Sequence, residues 1–217
     1  GARRRVGGGE DDPAPARVLD ELRARRCRPG GGREGLRRRR GGGPDVAIGA
    51  GPTDREVDSV DLGGWTREWG LVVPTGNPDG IEGLADLVDR DLAFVNRNTD
   101  AGLRSSLDAA VDDLAEGRDA ARPALTDAIR GFAVGTKGVE SPARAVARGD
   151  ADTGLGLRAT AASLGLGFVS LGTESVRVRA NPDRLEKPGV EELAEQLAAL
   201  DPVVDGLAGY DSDPASD

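Results

Sequence analysis

Between Asp91 and Leu114 the chain changes its hydrophobic period within a few residues, and this restricts the possible folds more than any other feature. Leu92-Ala93-Phe94-Val95 is a short apolar run of the kind that forms a buried strand. Asn96 through Gly102 is polar or small, and Leu103, Leu107, Val111 and Leu114 then recur at helical spacing, which predicts a helix with one apolar face. A strand, a turn containing glycine and a helix start follow one another without a spacer. That arrangement aims the unpaired N–H groups and the positive end of the helix dipole at whatever occupies the turn, an environment that favours anions. Arg97 and Arg104 flank the turn and carry forked donors suited to an oxyanion; they equally suit surface pairing with Asp91, Asp100 or Asp108.

The same alternation recurs along the chain. Residues 45–51, DVAIGAG, read as a buried strand. PTDREVDSVDLGGW reads as a surface connection, and Leu71-Val72-Val73 as a strand stopped by Pro74. Ile81, Leu84, Leu87 and Val88 predict a short amphipathic helix; RPALTDAIRGF predicts another, with Pro123 near its start and Gly131 past its end. Ser141 followed by Pro142 suits an N-cap and a first helical residue. A glycine-punctuated strand follows, then a helix at RATAASLG, strands at GFVSLG and ESVRVRAN, and a helix at VEELAEQLAAL behind Pro188 and Gly189. The tail from Gly209 is acidic and is expected to fray. Strands alternating with helices indicate an α/β fold with a largely parallel sheet.

Composition removes many functions. The chain has no His and a single cysteine, Cys27, so histidine triads, internal disulfides and cysteine metal clusters are excluded. It has no P-loop and no nucleophile–base pair, so independent catalysis is not expected. No apolar run approaches membrane-span length and no signal sequence opens the chain, which points to a cytoplasmic protein without a membrane partner. Met is absent even at position 1, as in a segment of a longer protein. Residues 1–44 carry 13 Arg against 6 acidic residues, whereas residues 45–217 carry 16 basic against 32 acidic. An acid-rich, lysine-poor body fits a high-salt cytoplasm and a halophilic origin, and argues against direct contact with nucleic acid. Asp11, Asp12 and Pro13 predict a helix start leading through Val18, Leu19 and Leu22. Arg23 to Pro44, with nine Arg and seven Gly, reads as a flexible low-complexity stretch rather than a basic binding patch. A reading-frame slip in GC-rich coding sequence would also give such a stretch.

NPDGI, LAFVNRNTDAGLR, SPARAVARGDADTGLG and FVSLGTE, in that order, resemble the type II periplasmic-binding-protein-like domain. That domain accompanies molybdate-responsive helix-turn-helix regulators and molybdopterin biosynthesis proteins, notably in archaea. The resemblance spans residues 45–200, and residues 7–22 more loosely. It implies two α/β lobes with largely parallel sheets and a ligand cleft between them, lobe 1 comprising residues 1–68 and 174–217 (23–44 excepted) and lobe 2 residues 69–173. It also implies a small anionic ligand such as molybdate or tungstate, no other cofactor, no metal site, and ligand contacts from Asn96, Arg97, Thr99, Gly102, Arg104 and Ser141. Thr99 also suits a helix cap, and Glu174 suits bracing an arginine or the interlobe crossing.

The family pattern N-R-x-x-G-S-G-T-R is kept at Asn96, Arg97, Gly102 and Arg104. It is broken at Asp100, Ala101 and Leu103, and a common His is replaced by Pro142. Gly32 also stands where a hydroxyl residue is expected, so two hydroxyl donors are missing. The implied function is a non-catalytic oxyanion-binding or sensing domain of a larger protein. The second reading is an accessory domain of a molybdopterin biosynthesis enzyme, with catalysis elsewhere in the chain. The expected partners are the ligand and a fused helix-turn-helix or biosynthetic domain.

Overall fold

The computed structural model describes residues 45–50 and 59–213. The helix predicted at 11–22, the Arg-rich stretch at 23–44, Gly32 and Cys27 lie outside the described residues.

Two 14-residue strands, β2 (Val60–Val73) and β6 (Gly167–Ala180), pair antiparallel along nearly their whole length. The other strands are arranged about them in the order β1-β6-β2-β5-β3-β4. These are β1 (Val46–Ala50), β3 (Phe94–Arg97), β4 (Gly135–Thr136) and β5 (Thr153–Leu157). β7 (Tyr210–Asp213) lies off this path on β2. The helices are α1 (Leu84–Asp89), α2 (Gly102–Gly117), α3 (Arg122–Ala128), α4 (Ser141–Ala147), α5 (Arg158–Ser163), α6 (Pro188–Ala199) and α7 (Asp201–Asp205), with one 3-10 turn at Pro182–Arg184. Among the described residues no helix is long and apolar enough to cross a membrane.

The sheet is mixed, and the expectation of largely parallel pairing holds only in part. β3 runs parallel to β4 and β5, whereas the pairings of β1, β2, β6 and β7 are antiparallel. Several local readings are corrected for the same reason, that a strand's partner is not encoded in its own pattern. β2 begins at Val60, inside the stretch read as a surface connection. A register shift between Asp61 and Gly64 breaks the alternation that would have announced it. GFVSLG and ESVRVRAN are one continuous strand. Among the described residues β1 is an edge strand, with Ala47 to Ala50 exposed rather than buried. Tyr210–Asp213 pairs with β2 instead of fraying.

The helices follow their apolar periods. On α2, Leu103, Leu107 and Val111 are buried, joining a core with Leu71, Phe94, Leu155 and Val178. Ile81, Leu84 and Leu87 are buried at α1 as expected. Ahead of α1 the Asp86 carboxylate accepts from the N–H groups of Glu82 and Gly83, which hold it below the ordinary aspartate range, as does Arg90.

Candidate functional site

β3, β4 and β5 point the same way, so their carboxyl ends share one edge of the sheet. Helices follow those ends: α2 after the turn at 98–101, α4 after the loop at 137–140, and α5 directly after Leu157. In open α/β sheets the crevice outside the carboxyl ends of parallel strands is where ligands bind, because helix N-termini gather there.

Four of the six residues expected to hold a ligand meet at this edge through main-chain groups of residues 132–141. Asn96 is fully buried; its Nδ2 donates to the Phe132 carbonyl (2.8 Å) and its Oδ1 accepts from the Arg97 N–H (2.8 Å). Arg97, also buried, donates from Nη1 to the Gly138 carbonyl, which also accepts from the Ser141 N–H (3.3 Å). Arg104 stacks on the Phe132 ring, its guanidinium carbon 4.2 Å from the centroid, and donates to the Phe132 carbonyl (3.0 Å) and to Asp108 (3.2 Å). The surface pairing with Asp108 that the sequence allows for Arg104 is therefore present. The Ser141 hydroxyl lies against Gly138, where any Cβ would strike it.

The other two residues lie in and beside the turn. Thr99 and Gly102 are exposed at the mouth of the turn, which the Ala101 N–H closes onto the Asn98 carbonyl (3.0 Å). The N-cap of α2 is Ala101, with no side-chain cap, so the capping role expected of Thr99 is not filled by it. Ser141 is likewise the first residue of α4 rather than its cap, which is Glu140. The first N–H groups of α2, at Gly102 and Leu103, have no acceptor within a helix of this geometry, and no acidic residue stands in the first turn. Asp100, exposed just before the helix, is the one adjacent negative charge in the turn.

The segment 132–140 carries no clear period in the sequence, yet it organises the edge. Thr136 Oγ1 donates to the Asn96 carbonyl (3.2 Å), and the Asn98 N–H to the Thr136 carbonyl (3.1 Å). A Cβ at Gly135 would lie 2.5 Å from the Asn98 Cα, so only glycine lets β4 approach the turn this closely. Exposed Lys137 follows, one of two lysines in the chain. The available signal was the spacing of Gly131, Gly135 and Gly138 in a stretch too short for either period.

Behind the edge, Glu174 on β6 is buried and braces an arginine, as expected of it: Arg67 Nε donates to Glu174 Oε1 (2.7 Å) and Nη2 lies 2.5 Å from the same oxygen. Glu68, on the other face of β2, is bound by Arg158 at the start of α5 and by the Ser170 hydroxyl (3.2 Å). The Arg158 hydrogen bond, opposed by partial burial, holds the Glu68 carboxyl below the ordinary glutamate range. Among the described residues no group of three or more His, Cys, Asp or Glu is placed to hold a metal ion.

The family described as the PBP superfamily domain matches residues 55–198. No curated protein matches the chain by sequence. Among solved structures, a reduced form of OxyR from N. meningitidis is 16% identical with a TM-score of 0.50, covering 77% of this chain and 75% of that one. The reduced regulatory domain of OxyR2 from Vibrio vulnificus is 14% identical with a TM-score of 0.50, covering 72% of this chain and 71% of that one. The substrate-binding domain of a putative molybdenum ABC transporter from Clostridium difficile is 14% identical with a TM-score of 0.49, over 91% and 82% of the two chains. The chain spans about 66% of the length of the PEB3 structures it matches. The match over residues 55–198 and the mixed α/β architecture together lead to one conclusion: the chain belongs to the PBP superfamily domain, with a type II periplasmic-binding-protein-like fold.

Proposed function

We propose that this domain binds a small oxyanion, of the molybdate or tungstate type, at the carboxyl edge of β3, β4 and β5, and serves as the non-catalytic sensing part of a larger protein. The observation that carries the reading is the convergence of the turn at 98–101 and the loop at 137–140 on one side of the sheet, with the 16-residue α2 starting at the end of that turn. A helix N-terminus and exposed hydroxyls stabilise a tetrahedral anion without a metal or a titratable base.

The six residues divide by role. The Thr99 hydroxyl, the Gly102 N–H and the Ser141 hydroxyl are the contacts. Arg97 and Arg104 supply positive charge from beneath, while their hydrogen bonds to residues 138 and 132 hold the two turns in place. Asn96 locks the strand end to Phe132. Exposed Lys137 adds a cation at the rim. In this reading the lobes, 1–68 with 174–217 and 69–173, are joined through β2 and β6, whose register partners Arg67–Glu174 and Glu68–Thr173 lie beside the two crossings. The larger protein carries a helix-turn-helix or a molybdopterin biosynthesis domain.

Calorimetric titration with molybdate, tungstate, sulfate and phosphate tests this. Molybdate or tungstate should bind one per chain and raise the melting temperature in step with occupancy, by about 2.7 kcal/mol of stability at a hundredfold excess over Kd. Heat or stabilisation from none of the four anions would remove the proposal.

A further inference from the structure

The chain's two tryptophans, Trp65 and Trp69, are both buried on β2, and Arg67 lies between them on the same face of the strand. Arg67 pairs across to Glu174, its register partner on β6. Glu174 is almost wholly buried, and its second oxygen accepts from the Ser106 hydroxyl (3.1 Å). Ser106 belongs to the second turn of α2, one turn beyond Gly102 and Leu103. A single carboxylate thus joins both long strands to the helix whose first turn opens at the proposed site.

A buried charged hydrogen bond is directional and short-ranged, so its two sides move together or the contact breaks. Among the described residues, Asn96 and Arg104 direct side-chain bonds to the Phe132 carbonyl, and Arg104 also to Asp108, rather than to either long strand. The Ser106–Glu174–Arg67 chain is therefore a polar link from the start of α2 to the long pair. Resting on the oxyanion reading above, we infer that Glu174 is a positioning residue that holds α2 against β2 and β6, and that occupancy of the α2 start is transmitted through it to the strand segment bearing Trp65 and Trp69.

Amide hydrogen exchange on the full 217-residue chain tests the link without ligand. Ser106→Ala alters only the helix side, yet it should speed exchange of the β2 amides around Arg67 about tenfold, the loss of one hydrogen bond to a charged acceptor. Ser106→Thr, which keeps the hydroxyl, should restore the wild-type rate. Unchanged β2 exchange in Ser106→Ala overturns the link. With molybdate as the probe, wild-type tryptophan emission should change on saturation. In Ser106→Ala the calorimetric heat of binding should persist while the emission change falls by half or more; a full emission change there overturns the transmission. Coupled exchange in a chain that gives no binding heat with molybdate would overturn the transmission and the oxyanion reading while leaving the mechanical link intact.

Discussion

The long antiparallel pair and the short parallel strands beside it are built from similar residues to different ends. β2 and β6, 14 residues each, stay paired through two register shifts and set Leu71, Val73, Val176 and Val178 into the core. β3, β4 and β5 have four, two and five residues; β3 and β4 end in turns, and β5 passes directly into α5. Length supplies stability in the first region, because every added residue adds paired main chain and buried area. Brevity opens the proposed site in the second, because strands that stop early leave helix starts and loop amides unpaired by the sheet.

The sharpest way to break this comparison is to damage the long pair. Leu71→Ala, at a fully buried site, should cost about 4 kcal/mol in denaturant unfolding while leaving oxyanion affinity per folded molecule unchanged. A large loss of affinity there would mean the two regions are not separable. Arg104→Ala removes the stack on Phe132 and the bond to its carbonyl; it should cost about 1.5 kcal/mol and weaken oxyanion binding as the turn loosens. Arg104→Lys, which keeps charge without the fork, should fall between the two. Thr99→Val should leave stability within about 0.5 kcal/mol, since Thr99 is exposed, and weaken binding about tenfold by calorimetry.

The smallest effect concerns acid. Glu68 is held below its ordinary range by Arg158, so its stabilising contribution is fully present above the unfolded value of about 4.3 and fades as pH falls through the lower folded value. Glu68→Gln should flatten that part of the stability profile below about pH 4.3, read by thermal unfolding at stepped pH, and leave the neutral range unaltered in slope.

How far each region was legible in the sequence follows the same division. The β3–turn–α2 unit could be read directly, because Leu92 to Val95 and the Leu103, Leu107, Val111 series each carry a period that needs no partner to interpret. The long pair could not. The sequence divides β6 at Thr173, between GFVSLG and ESVRVRAN, and only the opposing β2, whose Arg67 lies 107 residues from its partner Glu174, makes the two runs one strand. Gly63 and Gly64 hid the start of β2 in the same way, by a register shift that only the opposing strand explains. Of the site, the residue types around the turn were legible, but not that Asn96, Arg97 and Arg104 direct their bonds to residues 132–138. Those acceptors are carbonyl groups, which have no signature in sequence.

The most direct measurement is of backbone amide chemical shifts during titration of the full chain with molybdate. The largest changes should fall on Thr99 to Leu103 and on residues 137–141, saturating at one anion per chain. Changes confined to β1 or α6, or no change at all, would contradict binding at the carboxyl edge of β3, β4 and β5.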